Sequence, residues 1–301
     1  MLIWLVLIPL IAAALIGLCK APARPTALLS ASLTLALGIW ALVSFDGCSS
    51  CWSRFEGMDL QLTLAPALSK VMLLLTILVT FATVLGTNPP QGGEASWYNS
   101  ALLISAGATG AFLSDNIISF FAFHELALIP TFVMIGLYGR GDRRTTAWRA
   151  TLYLGLASMV LLAALLMIGT QAGFTFSGLK DFMASGRELA HAELIGALLI
   201  AGFGTLISLF PFHSWAAPAY ASAPAPVAMM HAGVLKKFGL YGLFMFQPLM
   251  ETGFLPWTNI LLVLLVCNVI WVGYVTVNQK RLDLLLGNSS VMHMGLSLIH
   301  I

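Results

Sequence analysis

Apolar residues run along this chain in long stretches separated by short polar connections. The stretches fall at 2–19, 26–45, 64–86, 98–114, 117–138, 148–170, 192–210, 226–247, 256–276 and 284–301. A bilayer span needs about 20 residues of helix. Open strands cannot satisfy their backbone groups in hydrocarbon, so the spans read as helices. The pattern predicts an all-α polytopic transmembrane helical bundle with about ten helices present, and residues 1–301 as a single transmembrane domain. The opening "MLIWLVLIPLIAAALIGL" has neither a basic n-region nor a clear cleavage site, so it reads as a first spanning helix and not as a removed signal. The last stretch ends in "SSVMHMGLSLIHI" with no polar tail, an ending that reads as a cut.

The seventh stretch predicts its own interruption. In "IGALLIAGFGTLISLFPFHSWAAPAYASAPAP", Pro211 falls where a helix should continue, and Pro218, Pro224 and Pro226 follow. Proline removes a backbone hydrogen bond and kinks or breaks a helix. Non-helical backbone at membrane depth survives only where protein buries it or it lines a wet cavity, and broken helices in a bundle often mark ion sites.

Composition agrees with the pattern. Of 301 residues, 59% are hydrophobic and only 9% are charged, where soluble domains carry about 25% charged residues. The net charge of +2 and the lack of a basic, aromatic-interleaved patch exclude a nucleic-acid partner. The odd-numbered connections hold Lys20, Arg24, Arg140, Arg143, Arg144, Arg149, Lys280 and Arg281. The even ones hold most of the acids, among them Asp46, Asp59, Asp115, Asp181 and Glu251. The basic excess marks the cytoplasmic side, so the amino terminus is expected outside, with the bacterial inner membrane as the expected location. Cys48 and Cys51 form a "CSSC" in an outside loop: two ordinary loop cysteines, or a disulfide if that compartment is oxidising. No second Cys or His pair stands at zinc-ligand spacing, and no haem motif or phosphate loop occurs, so neither metal nor cofactor is expected in this chain.

The chemistry is confined to a few ionisable residues inside apolar stretches. Glu125 lies mid-way along "ISFFAFHELALIPTF", beside His124. Lys236 and Lys237 lie mid-way along the eighth stretch, His231 just before them, His213 after the break, and His293 in the tenth. A central charge costs about 2.5–3.5 kcal/mol on insertion scales. Lys237 is roughly 15 Å from either end of its stretch, beyond easy snorkelling. Such residues face the bundle interior or water and find partners. Glu125 is the one central acid, so a Glu125–lysine pairing between the fifth and eighth helices is expected. That pair is either a static packing device or a proton relay. The two lysines point about 100° apart, so both cannot face Glu125 equally, and Lys236 has the further option of an adjacent subunit or a wet cleft. His124 and His300 read as packing residues first, His231 and His293 equally as proton carriers. Gly202, Gly204 and Gly233 read as helix-packing contacts.

Four blocks, "FHELALIPTFVMIGLYG" (123–139), "PFHSW" (211–215), "SAPAPVAMMHAGVLKKFGLYGL" (222–243) and "SSVMHMG" (289–295), resemble the antiporter-like membrane subunits of respiratory complex I. Within them the M-type, or chain 4, pattern fits best, with relatives in multi-subunit cation/proton antiporters and membrane-bound hydrogenases. The resemblance implies a bundle of about fourteen spans with inverted repeats, each with one broken helix. On this chain it implies N-terminal helices at 1–90, a first five-helix repeat at 98–247 and the start of a second at 256–301. It implies a proton path in which Glu125, Lys237 and His293 take the places of the family's glutamate, helix-eight lysine and histidine, with His213, His231 and Lys236 as further candidates. Lys237 is the matching lysine because Tyr241 and Gly242 follow it at the family's spacing. Three departures stand out. Leu206 occupies the place of a lysine, "AAPAY" (216–220) replaces Leu-Pro-Asp-Ala-His, and Arg281 and Asp283 look exchanged. The implied function is proton translocation coupled to NADH-to-quinone electron transfer in partner membrane and dehydrogenase subunits. The alternatives are a subunit of a cation/proton antiporter or hydrogenase, and a scaffold paralogue that no longer pumps.

Overall fold

A computed structural model of the chain describes residues 1–44, 52–55, 60–90 and 92–300. The "CSSC" cysteines lie outside the described residues. In chain order the elements are α1 (Ile3–Gly17), α2 (Ala23–Ser44), β1 (Trp52–Phe55), β2 (Leu60–Thr63), α3 (Ala67–Leu85), α4 (Glu94–Leu113), α5 (Ile117–Tyr138), α6 (Arg143–Ala172), α7 (Phe176–Ala184), α8 (Ala192–Leu206), α9 (Ala216–Ser222), α10 (Ala225–Met230), α11 (Lys237–Met245), α12 (Thr258–Val277) and α13 (Leu282–His300). A 3-10 turn, Phe212–Trp215, precedes α9, and a π-turn, His231–Leu235, separates α10 from α11.

The expected count of about ten helices is not confirmed. Five described helical runs are long and apolar enough to cross a membrane: Ala23–Ser44, Ala67–Leu85, Ile117–Tyr138, Arg143–Ala172 and Thr252–Val277. The seventh apolar stretch is helical only to Leu206, where α8 ends, and helix resumes beyond the break in α9. The eighth, expected whole, is divided by the π-turn. Large apolar side chains such as Leu29, Leu156 and Ile270 stand on the outer surface, the expected arrangement for helices solvated by lipid.

The chain forms two compact units. One comprises Met1–Met134 and Pro224–Leu235, the other Ile135–Ala223 and Lys236–Ile301. In the first, α4 is buried along its length and packs against α1, α2 and α3. Its run of Gly, Ala, Ser and Thr explains why. Without a hydrophobic drive between helices in lipid, small residues that let backbones approach are what hold them together. Antiparallel β1 and β2 pair Trp52 with Thr63 and Phe55 with Leu60, in a connection and not in an apolar run. Leu62 of β2 is buried in a cluster with Leu2, Leu5, Leu73 and Ile77.

The position of α5 rests on α4. A Cβ at Gly107 would stand 2.6 Å from the Phe123 carbonyl oxygen and 2.9 Å from the Ala127 nitrogen. These are backbone atoms that cannot swing aside. Gly107→Val is therefore expected to destabilise the chain by about 1–3 kcal/mol, the usual range for overpacking. Denaturant unfolding in lipid nanodiscs measures it, and Ala95→Val, at an exposed position of the same helix, gives the comparison.

The second unit is organised around α6, α8, α9, α12 and α13. Gly202 of α8 sits where a Cβ would meet Leu161 of α6 at 2.9 Å, as expected of a packing glycine. Gly233 approaches Val79 in the first unit in the same way, at 3.2 Å, whereas Gly204 meets only Leu209, at an ordinary 3.5 Å. Gly239 and Gly242 of α11 lie against Ile207 and Phe203 and set how closely α11 seats on α8.

Candidate functional site

The first unit presents Glu125. Asn116 starts the helix that carries it, its Oδ1 accepting from the amides of Ile118 (2.9 Å) and Ser119 (3.0 Å). Nine residues on, the Glu125 carboxylate lies 3.2 Å from His124 Nδ1. The imidazole is 1% exposed and the carboxylate about a third exposed. His124, read from sequence as a packing residue, thus sits on the acid. His231, the first residue of the π-turn, is buried at 5% exposure. Pro226 stands in the first turn of α10, where a missing N–H does no harm. A π-turn carries one residue more than an α-turn and changes the phase of everything after it.

The second unit holds the break. The ring of Pro211 would collide with the carbonyl four residues back, and it disfavours helix at Phe210. Accordingly α8 stops at Leu206, Ser208 takes a φ of +63°, and Phe210–Pro211 is cis. The loose ends are tied by side chains. Trp215 Nε1 donates to the Thr205 carbonyl at 3.2 Å. Arg149 donates to Ser214 Oγ (3.3 Å), which donates to the Tyr153 hydroxyl (3.0 Å), fastening "PFHSW" to α6. Asn268 of α12 is fully buried. Its Oδ1 accepts from the Phe210 amide at 3.1 Å, and its Nδ2 donates to the Val291 carbonyl of α13 at 3.2 Å. Gly295 leaves room for that amide. Sequence reasoning missed Asn268 because it counted only ionisable residues. The signal was a lone amide in "LLVLLVCNVIWV".

His213 stacks on Phe210, ring centroids 5.5 Å apart, and among the described residues its Nδ1 has no hydrogen-bond partner. Leu206, in the place where a lysine was implied, is 4% exposed at the end of α8. Lys237, half-buried, donates from Nζ to the Met294 thioether at 3.8 Å. The neighbouring His293 is exposed. Lys236 overturns the expectation of a wet cleft or a second subunit for its side chain. It is 1% exposed, and its Nζ lies 5.0 Å from the centroid of the Tyr220 ring, whose hydroxyl shares a hydrogen bond with Ser290. The reason is the π-turn, which re-phases the helix immediately before it. Arg281 and Asp283 form a bidentate pair (3.1 and 2.6 Å) at the start of α13, and that bond holds the Asp283 carboxyl below the ordinary carboxylate range. The second unit thus gathers Lys237, Lys236, Tyr220 and Met294 beside a broken helix. Amines in such surroundings can take up and release protons, and nothing in the grouping resembles a redox or metal centre's donor set.

Known proteins share this architecture. A family model described as "NADH:quinone oxidoreductase/Mrp antiporter, TM" matches residues 114–301. NAD(P)H-quinone oxidoreductase chain 4 2 of Microcystis aeruginosa is 32% identical over 241 residues, 78% of this chain and 43% of the relative. Chain 4 1 of Picosynechococcus sp. is 30% identical over 257 residues, 83% of this chain and 47% of the relative. The chain thus spans less than half the length of these curated relatives. Among solved structures, a chain of respiratory complex I from Thermus thermophilus with bound NADH superposes with a TM-score of 0.85 at 25% identity, covering 99% of this chain and 63% of that one. A chain of an archaeal membrane-bound sulfane sulfur reductase has the same fold, with a TM-score of 0.84 at 21% identity, covering 98% and 63%.

Proposed function

The chain belongs to the NADH:quinone oxidoreductase/Mrp antiporter transmembrane family, and from that premise we propose that it is a proton-translocating membrane subunit of an NADH:quinone oxidoreductase. In this reading it moves protons across a bacterial inner membrane, amino terminus outside, while partner subunits pass electrons from NADH to quinone. The first repeat would occupy 98–247 and the second would begin at 256–301. Glu125, Lys237 and His293 bind the translocated protons, with His213, His231 and Lys236 as auxiliary sites. The observation that carries the reading is the placement of Lys237: an amine inside an apolar helix, next to a broken helix, with a thioether for its partner. A purely structural lysine would be matched to a carboxylate, because an ammonium in hydrocarbon without one is expensive. A weakly held amine is free to change charge with each cycle.

The reading is tested with Glu125→Gln in the assembled complex, in sealed vesicles. The amide keeps the shape and removes the titratable proton. The expected result is a severalfold fall in protons moved per electron, with NADH oxidation retained in uncoupled membranes. An unchanged proton-to-electron ratio overturns the assignment.

A further inference from the structure

Resting on the reading of Lys237 as a proton carrier, we infer that Lys236 and Lys237 form a one-proton couple: between them they hold a single excess proton, with two alternative seats, the face of the Tyr220 ring and the thioether of Met294. Both seats are present in the structure. Lys236 Nζ stands 5.0 Å over the Tyr220 ring on α9, in a site 1% exposed, and among the described residues it has no hydrogen-bond partner. The ring face is electron-rich and holds a cation without accepting a conventional hydrogen bond. Lys237 Nζ donates to Met294 Sδ on α13 at 3.8 Å. Consecutive helical residues point about 100° apart, so the two amines address different walls.

The seats are weak, and among the described residues neither amine has a carboxylate partner. Lys237 is a second basic side chain on the adjacent residue. From α9 the titratable neighbour is Tyr220, itself tied to Ser290. On α13, Asp283 is engaged by Arg281 at the exposed start of the helix, and His293 is exposed. On α8, Glu193 lies in the first turn, at the end away from Phe203 and Ile207, where α11 packs. Two like charges on adjacent residues in a low-dielectric interior repel strongly. One ammonium can be held by a quadrupole or a sulfur; two cannot be held at once. The exchange is balanced: an N–H bond of one ammonium breaks, its electron pair stays on that nitrogen, and the proton joins the lone pair of the other amine. Leu206 leaves the broken helix without a lysine, and the couple provides the second amine from the adjacent position of one helix.

The test uses the full chain in lipid nanodiscs, labelled with 15N at lysine Nζ and followed by NMR across pH. The two resonances are assigned with Lys236→Leu and Lys237→Leu, and the same variants supply the single-lysine titrations. Coupling places the lower wild-type midpoint at least about one pH unit, or tenfold in proton affinity, below the midpoint of either lysine alone. A smaller separation means independent lysines and overturns the couple. A second comparison addresses the seats. Tyr220→Phe keeps the ring and the wild-type distribution of the proton. Tyr220→Leu moves it about tenfold toward Lys237, and an unmoved distribution refutes the ring as a seat. If Tyr220→Leu does not fold, the wild-type and single-lysine titrations still decide. No pumping is measured, so failure here is distinguishable from failure of the translocation reading.

Discussion

Asn268→Leu is expected to destabilise the chain by about 3–5 kcal/mol, a large fraction of the stability of a typical domain. One part-buried backbone group loses its partner: the Phe210 amide, in the broken stretch, is held at 3.1 Å by Asn268 Oδ1. The Val291 carbonyl, inside α13, loses a second donor, Asn268 Nδ2 at 3.2 Å, and keeps its helix bond. Orphaning the amide costs about 1–3 kcal/mol, overpacking adds about 1–3 kcal/mol, and at membrane depth no bulk water stands in. Leucine also puts a branched end where the planar amide now lies against Gly295. The loss should be visible as earlier unfolding in an SDS titration of nanodisc-reconstituted protein. Cys267→Ala, the adjacent half-buried residue on the same helix, is expected to cost under about 1 kcal/mol. Should the two variants unfold together, the amide bridge contributes nothing and the break is held by Trp215 and Ser214 alone. Asn268→Ala separates the two causes, since it removes both hydrogen bonds without crowding Gly295.

That residue also marks where the sequence stops being legible. The apolar runs located most of the long helices, because a mostly apolar stretch of spanning length has few alternatives in lipid. Pro211 located the break, because its ring forbids the preceding turn whatever the surroundings. What period and composition could not supply was phase. Two adjacent lysines are known from the sequence to point apart, but which one is buried depends on the π-turn at His231–Leu235. Nothing in "HAGVL" announces that turn; Gly233, where an added Cβ would stand 3.2 Å from Val79, is the nearest hint. The hairpin of β1 and β2 was equally hidden, since a polar connection between spans carries no membrane constraint. His124 was passed over in favour of its neighbour Glu125, although a histidine beside a partly buried acid is a ready partner. The Tyr220 ring was read only as an absent histidine, and its contact with Lys236 is a tertiary fact.

Lys237→Ala is expected to lower proton translocation per electron by at least about tenfold, at the low end of what a positioned acid or base contributes. The side chain is half-buried, and its recorded partner is a thioether, so its removal leaves no buried charge stranded. Folding should survive: Met294 remains buried in its cluster with Ile207, Leu209, Leu265 and Leu298. Electron transfer should survive as well, because on the proposed reading the redox centres belong to partner subunits. The informative companion is Lys237→Arg. A guanidinium preserves the positive charge and can reach the same sulfur, but it does not deprotonate under biological conditions. If Lys237 is a static counter-charge that fixes helix packing, arginine restores translocation and alanine alone is defective. If Lys237 carries the proton, arginine is as defective as alanine, because a charge that cannot leave cannot be passed on. Proton-to-electron ratios in sealed vesicles, measured on both variants with assembly checked by native electrophoresis, decide between them. Full translocation in Lys237→Ala would remove the lysine from the path altogether, while full translocation in Lys237→Arg alone would return it to the role of a structural cation.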